Sequence, residues 1–237
     1  MNENTNRARR MTMKEFEKKY GVHFSTALDG KLLDVYAFTT SVKENPYCKN
    51  RVNCDGMICK ECYANASLDY RKNCRDSYGA NTAVITSVII PIEDIPYIVS
   101  PSGYFRFESH GDLINEIQVV NYFNMARYNP HLKCALWTKN PWIIRKAFEK
   151  YDIEKPENLV IVGSSYFVNK AMEMSAYTFI DKIFTVYESA YATENGIEIN
   201  CGLRQCAECG RCYENYGGRY VNELPKKEQR KMARAAK

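Results

Sequence analysis

Residues 133–150 read KCALWTKNPWIIRKAFEK, an apolar strand followed by a turn and a helix. The strand is Lys133–Thr138. Asn140 before Pro141 predicts the start of a helix that continues to Lys150, because proline is favoured at the first helical position. The same order recurs on both sides of this stretch. Strands and helices that alternate at this spacing predict parallel βα units joined by right-handed crossovers.

Upstream of this stretch the sequence predicts a second βα unit. Tyr104–Ser109 alternates apolar and polar residues as a strand does, and Asp112 is placed to cap the helix that follows. The helical spacing of apolar residues continues to about Tyr128. Further strands are predicted within Leu32–Val42 and within Thr82–Ile90.

Downstream, Leu159–Val162 is a continuous apolar run of the kind that is buried in a parallel sheet. A helix is predicted near 169–175, and a strand at Ile183–Tyr187. The sequence therefore predicts an α/β fold, best described as a partial (β/α) barrel, in one domain over residues 1–237. Its parts are an N-terminal cysteine segment (48–80), a βα core (81–190), and a C-terminal cysteine segment with a basic tail (191–237).

Polar loops follow three of the predicted strands, at Ser109–Asp112, Thr138–Asn140 and Gly163–Ser165. In parallel βα folds, binding sites collect at the carboxyl ends of the strands. An arginine within a strand can anchor a carboxylate or phosphate, and a histidine beside carboxylates can act as an acid or base, although either can serve packing alone. The candidate catalytic residues are Arg106, His110, Asp112 and Lys139.

Eight of the ten cysteines fall in two short windows, and only Cys74 and Cys134 lie apart. In a reducing compartment such clusters indicate metal binding more often than disulfides. We call the clusters the first and second cysteine groups, and their members are Cys48, Cys54, Cys59 and Cys62, and Cys201, Cys206, Cys209 and Cys212. We expect both groups to close over the carboxyl end of the sheet, with Cys48 the weakest candidate ligand.

Thiolates suit both iron–sulfur clusters and zinc. The run Cys206, Cys209 and Cys212 resembles ferredoxin spacing, which favours a four-iron, four-sulfur (4Fe-4S) cluster. Zinc is the alternative, with Cys59 and Cys62 forming one knuckle and Cys206 and Cys209 the other, which leaves Cys54, Cys201 and Cys212 unexplained. Whether the eight cysteines hold one centre or two is left open. If there are two, Cys54, Cys59 and Cys62 bind the principal cluster.

A three-cysteine loop ahead of a βα core resembles the radical S-adenosylmethionine superfamily, whose cluster has one open iron. In that superfamily the first two cysteines of the loop lie one residue closer together than Cys54 and Cys59 do. Its aromatic residue precedes the last cysteine, whereas Tyr63 follows Cys62 here. The chain has no clear glycine-glycine-glutamate motif for the methionine amine, so S-adenosylmethionine is left as an open alternative.

From about Cys48 to Tyr213 the chain resembles a phage-encoded family known as gene product eighty-eight. The family resemblance implies a radical-SAM-like barrel with an iron–sulfur centre, and it supplies no reaction. His110 stands where that family usually has serine. The shared features, in the same order, are the cysteine loop ending Cys62-Tyr63-Ala64, the strand end Arg106–Leu113, the strand end Trp137-Thr138-Lys139, and the late Cys206, Cys209, Cys212 and Tyr213.

The net charge of +5 is modest, and much of the surplus lies near the two ends. Such tails can bind the phosphates of nucleic acid, although solvated ends are the simpler reading. No apolar run suggests a signal core or a membrane span, so a cytoplasmic location is expected, in the host cell for a phage protein. The basic residues concerned are Arg7, Arg9 and Arg10, and Lys226, Lys227, Arg230, Lys231, Arg234 and Lys237.

Two functions compete on these grounds. The first is an iron–sulfur protein, a redox or radical-SAM-like enzyme that would need an electron donor and acts on an unknown substrate. The second is a non-catalytic module in which zinc or a cluster acts as a folding staple and the basic tails contact nucleic acid. The sequence names neither a substrate nor a reaction.

Overall fold

The computed structural model describes residues 10–27, 29–202 and 204–235. Within these ranges the strands are β1 (Ser25–Thr26), β2 (Tyr36–Phe38), β3 (Tyr104–Phe107), β4 (Lys133–Thr138), β5 (Leu159–Ser164), β6 (Lys182–Val186) and β7 (Tyr220–Glu223). The α-helices of the same ranges are α1 (Met13–Tyr20), α2 (Pro46–Arg51), α3 (Tyr63–Tyr70), α4 (Lys72–Ile85), α5 (Glu116–Arg127), α6 (Pro141–Tyr151), α7 (Ser189–Glu194), α8 (Cys206–Cys209) and α9 (Lys226–Ala235).

The strands form one sheet in chain order, from β1 to β7. β1 runs antiparallel to β2, and every later neighbour is parallel. The connections from β3 to β4 and from β4 to β5 contain α5 and α6, and both helices pack against the same face of the sheet. The predicted α/β fold with parallel βα units is confirmed.

One face of the sheet packs against helices, and we call it the helix face. Phe105 and Phe107 of β3, Leu136 of β4 and Ile161 of β5 lie in one buried apolar cluster. Residues from α5 and α6 complete this cluster, including Phe123 and Ile144. Since alternate residues of a strand point to opposite faces, these positions fix where the remaining side chains point.

The opposite face, which we call the cysteine face, holds Arg106 and its neighbours in register, Ala37 and Ala135. It is covered by the segment of the second cysteine group, which includes the short helix α8. Ala135 and Tyr213 belong to one buried cluster, against which Trp137 and the second-group thiols Cys206 and Cys212 pack. The second group therefore lies across the sheet, and the expectation that it closes over the carboxyl end is wrong.

Several predicted elements are confirmed. β4 has its predicted bounds, β5 contains the predicted run, and α5 ends at Arg127, one residue before the expected end. α6 begins at Pro141 as predicted and ends at Tyr151. β3 stops at Phe107, two residues early, and β2 is the short strand found inside Leu32–Val42.

The strand predicted within Thr82–Ile90 is wrong, because α4 continues to Ile85. Thr82 is accommodated in this helix by donating its hydroxyl to Tyr78 O at 2.7 Å. The buried side chain of Asn81 donates to Thr39 O at 2.9 Å, which ties α4 to the chain just after β2. Packing against the sheet thus overrides the β preference of this run.

The helix predicted near 169–175 is also wrong, and residues 166–181 form no helix. Asn169 has φ of 62°, in the left-handed region, and its main-chain N–H donates to Val186 O at 2.9 Å. Two further hydrogen bonds join Asn169 to Glu188. Asn169 Nδ2 donates to Glu188 Oε2, and Glu188 N donates to Asn169 Oδ1. These contacts hold the segment against the end of β6 and outweigh its helical pattern.

Asp112 does not cap α5. That role belongs to Asn115, whose side chain accepts from Gln118 N at 3.1 Å. Both carboxylate oxygens of Asp112 are used instead by the ends of β3 and β4, so the helix begins four residues later than the predicted cap.

The loop after β3 makes a close approach at Gly111. A Cβ placed there would lie 2.6 Å from Thr40 O, and closer still to the Glu108 carboxylate. Thr40 and Glu108 are both buried. Glycine is therefore required by space at this position.

We expect Gly111→Ala to lower the free energy of unfolding by about 1–3 kcal/mol, because the neighbours of the added methyl group are buried and cannot move aside. The urea midpoint of the purified variant measures this change.

Gly79→Ala in α4 is the matched control. The group that an added Cβ would meet there is the carboxylate of the exposed Glu44 side chain, which can move away. Alanine is also favoured over glycine within helices. We therefore expect equal or higher stability, and an equal loss in both variants would contradict the steric argument.

Candidate metal centres

The first cavity lies where β2, β3 and β4 end, and its volume is about 200 Å³. Its walls come from α2, from the turns that lead into α3, and from the loops after β3 and β4. The cavity brings together three thiols of the first group and three of the four candidate catalytic residues, namely Cys48, Cys59, Cys62, His110, Asp112 and Lys139.

Glu108 fixes the loop that leads into this cavity. Its side chain is 2% exposed and its φ is 60°, an uncommon backbone conformation for glutamate. The carboxylate accepts from Thr40 N at 3.1 Å, from Gln118 Nε2 at 2.7 Å and from the Tyr122 hydroxyl. Burial outweighs these hydrogen bonds and raises the pKa of Glu108 to about 7.

Asp112 joins the ends of two strands. Its Oδ1 accepts from Leu113 N at 2.8 Å and from Thr138 Oγ1 at 2.6 Å, and its Oδ2 accepts from Lys139 N at 2.9 Å. Burial raises the pKa of Asp112 even so. Because both oxygens are occupied, Asp112 acts here as a structural acceptor.

The main chain of Lys139 is fixed, whereas no carboxylate of the described residues forms an ion pair with its ammonium group. Lys139 O accepts from Tyr47 OH at 2.5 Å and from Tyr166 OH at 2.7 Å. Its Nζ donates to the neutral hydroxyl of Ser164 at 3.2 Å. An ammonium has three donors, so Lys139 can offer hydrogen bonds and charge to a group in the cavity.

His110 packs between two aromatic rings. Its ring centroid lies 5.6 Å from that of Tyr63 and 5.5 Å from that of Tyr78, and its Nδ1 lies 3.0 Å from Ser109 Oγ. Burial, assisted by the positive charge of Arg106, lowers the pKa of His110 to about 4. The imidazole is therefore neutral near pH 7.

The second cavity lies on the cysteine face and has a volume of about 340 Å³. That volume is within the range of small-molecule and cofactor sites, about 300–1,000 Å³. All four thiols of the second group line it, together with the candidate residue Arg106, with Trp137, and with Lys31, which no motif singled out. The four candidate catalytic residues are thus divided, with Arg106 apart from the other three.

Three buried hydrogen-bond donors of residues that line the second cavity have no acceptor among the described residues: Arg106 Nε, Trp137 Nε1 and Tyr213 OH. Arg106 acts on the Tyr213 oxygen as a donor, so it is the hydroxyl proton of Tyr213 that lacks an acceptor. Tyr213 is 3% exposed, and the Arg106 guanidinium lies 4.3 Å from the centroid of the Trp137 ring. Buried donors are rarely left unpaired without a functional reason or an unseen partner. The cavity is therefore suited to a group that accepts hydrogen bonds.

Lys31 adds positive charge to the same cavity. Its Nζ lies 3.0 Å from Cys201 Sγ and 2.5 Å from Glu223 Oε1. Burial acts to lower the pKa of Lys31, but Glu223 and Cys201 outweigh it and the pKa is raised. The ammonium therefore stays charged next to a second-group thiol.

Lys182 holds the second cysteine segment in place. It is 2% exposed, and its Nζ donates to Tyr216 O at 2.7 Å and to Gly218 O at 3.0 Å. Tyr104 of β3 stacks on Tyr213 at 4.8 Å. Neither lysine, Lys31 or Lys182, follows a recognisable motif, and only the three-dimensional packing identifies them.

The two C-x2-C pairs line different cavities. Cys59 and Cys62 line the first, and Cys206 and Cys209 line the second. Cys54 does not line the first cavity, and its Sγ donates to Asn50 O at 3.3 Å. In the described part of the chain all the cysteines are free thiols, and no three His, Cys, Asp or Glu side chains converge closely enough to hold a metal ion as placed.

The remaining sequence candidates are outside both cavities. Cys134 is buried within β4, and Cys74 packs in a small apolar cluster with Leu68. Arg7, Arg9 and Lys237 lie outside the described residues. Among the described helices, none is long and apolar enough to cross a membrane.

No protein-family model, curated protein or solved structure matches this chain. The proposed function therefore depends on the geometry of the two cavities.

The titration of Glu108 should be visible in the stability of the protein. The pKa of Glu108 is about 7 in the folded protein and near 4.5 when unfolded, so the folded state binds more protons between these values. Its contribution is fully present below pH 4.5 and is lost as the pH rises through about 7. We expect a decrease of up to about 3 kcal/mol.

Urea unfolding of the wild type and Glu108→Gln, under reducing conditions across this pH range, isolates the effect because glutamine cannot titrate. The difference in stability between the two proteins should shrink as the pH rises. A constant difference would contradict the assignment.

Proposed function

We propose that this protein is an iron–sulfur redox protein with two centres, one in each cavity, on a sheet that curves as a partial (β/α) barrel. Bound iron–sulfur clusters supply one-electron chemistry, at a potential set by charge, burial and hydrogen bonds to sulfur. Thiolates are the usual protein ligands of such clusters, and each cavity is lined by thiols of one cysteine group.

The observation that best supports this proposal is the combination of thiols and unpaired donors in the second cavity. Four cysteines line it beside the unpaired donors of Arg106, Trp137 and Tyr213. Cluster sulfurs and thiolates accept hydrogen bonds and are negatively charged, so a cluster would give these donors partners. The ammonium of Lys31, already paired with Glu223, lies next to the thiol of Cys201.

The first cavity suits a reacting centre better than a relay. It opens at the carboxyl ends of the strands, where α/β proteins bind small molecules. Lys139 retains free donor capacity there, and His110 is a neutral imidazole, whose ring nitrogens can donate and accept hydrogen bonds. In this proposal Lys139 orients an anionic group, and His110 orients the bound group through hydrogen bonds.

A single tetrahedral zinc shared by both C-x2-C pairs is not favoured, because the two pairs line separate cavities.

Contact with nucleic acid remains a prediction with one supporting feature. α9 exposes four basic side chains at spacings that share one helical face, Lys227, Arg230, Lys231 and Arg234. Such a stripe can contact a phosphate backbone without being the main function.

We expect protein purified without oxygen to be brown and to contain iron and acid-labile sulfide. Cys206→Ser and Cys209→Ser should each lose the absorbance and iron of one centre, because each removes a thiolate ligand from the second cavity. Visible absorbance with iron and sulfide assays measures this loss.

Cys74→Ser is the control, since Cys74 lines neither cavity. It should keep the iron content of the wild type. A colourless wild-type protein with stoichiometric zinc and no sulfide would overturn the proposal.

Tyr213→Phe should lower the reduction potential and leave the iron content unchanged, because it removes a hydrogen-bond donor from the second cavity. An anaerobic redox titration followed by visible absorbance measures this shift.

Tyr216→Phe is the matched control. Tyr216 also lines the cavity, but its hydroxyl already donates to Cys209 O at 3.0 Å. A larger shift in this control than in Tyr213→Phe would contradict the role given to the free hydroxyl.

A further inference from the structure

The first cysteine group divides into two kinds of thiol. Cys48, Cys59 and Cys62 line the first cavity, and Cys54 does not. This division differs from the one suggested by spacing along the chain, which groups Cys54 with Cys59 and Cys62. The difference arises from the path of α2.

α2 is fixed against the cavity by the side chain of Asn45. Asn45 is fully buried, and its Oδ1 caps the helix by accepting from Tyr47 N at 2.9 Å. Its Nδ2 donates to Asp112 O at 3.0 Å, and Tyr47 OH reaches Lys139 O at 2.5 Å. Cys48 directly follows Tyr47 in α2. Its position is therefore set by the bonds that tie Asn45 and Tyr47 to the loops after β3 and β4.

Cys48 and Cys62 also share their packing. Both contact the small apolar cluster that contains Leu68 and Tyr78. Because Cys48, Cys59 and Cys62 all line one cavity, a positively charged centre bound there would face all three thiolates.

Cys54 has a different environment. It follows α2 in a loop whose neighbouring residues Asn53 and Asp55 are exposed. Its thiol donates to Asn50 O at 3.3 Å, within the same segment of chain. It lies neither in the cavity lined by the other three thiols nor in the apolar cluster that Cys48 and Cys62 contact.

We infer that Cys48, Cys59 and Cys62 are the protein ligands of the first centre, and that Cys54 is a free thiol. This inference rests on the proposed function. The remaining wall of the cavity includes Lys139 and His110, and the Asp112 carboxylate already accepts from Leu113, Thr138 and Lys139, so these three thiolates are the ligands that the cavity would supply.

Two measurements on anaerobically purified protein test the inference. In the first, Cys48→Ser and Cys54→Ser are compared for iron per chain. Cys48→Ser should lose about half of the iron if the two centres are alike, and Cys54→Ser should keep all of it. Urea unfolding shows whether each variant remains folded.

The second measurement needs no substitution, so it stands even if Cys48→Ser fails to fold. Wild-type protein is treated with iodoacetamide before and after removal of iron, and the modified cysteines are mapped by mass spectrometry. Cys54 should react in the loaded protein, whereas Cys48, Cys59 and Cys62 should react only after iron is removed.

The outcomes separate this inference from the proposal beneath it. Wild-type protein without iron and sulfide overturns both. Loaded wild-type protein in which Cys54 is protected and Cys48 reacts, or a Cys54→Ser variant that loses iron as Cys48→Ser was expected to, overturns the ligand assignment alone.

Discussion

The carboxyl end of the sheet depends on one buried carboxylate, that of Asp112. A charged group removed from water needs hydrogen-bond donors on every side. Asp112 obtains them from Leu113, Thr138 and Lys139, which locks the ends of β3 and β4 together. Its main-chain oxygen also accepts from Asn45, which brings α2 to the same place. The positions of the first cavity's walls follow from these bonds.

The two cavities differ in how fully their polar side chains are hydrogen-bonded. In the first, most polar side chains are hydrogen-bonded within the protein, whereas the Lys139 ammonium makes one such bond, to Ser164, and keeps further donors. In the second, three donors of Arg106, Trp137 and Tyr213 are left without partners on a face of the sheet. A fold normally avoids such unpaired groups because each lost hydrogen bond is costly. Their concentration beside four thiols is what distinguishes this cavity from ordinary packing.

Local patterns predicted the elements whose side chains repeat with one period, such as β4 and α6. They failed where distant contacts decide the conformation, as at Thr82 in α4 and at Asn169. The cysteine groups could be recognised from spacing, but their placement could not. No local signal shows that Tyr213 stacks on Tyr104, or that α2 turns Cys48 rather than Cys54 toward Cys59.

All four second-group cysteines lie in the connection between β6 and β7, and β7 is the outermost strand of the sheet. Cys201 pairs with Glu223 of β7, and Lys182 of β6 holds the turn that leads into β7. The contacts that shape the second cavity therefore also keep β7 in place. If they loosened, β6 would become an uncovered edge, which invites strand addition from another copy of the chain. The shape of the cavity and the protection of this edge against aggregation are in this way two results of the same packing.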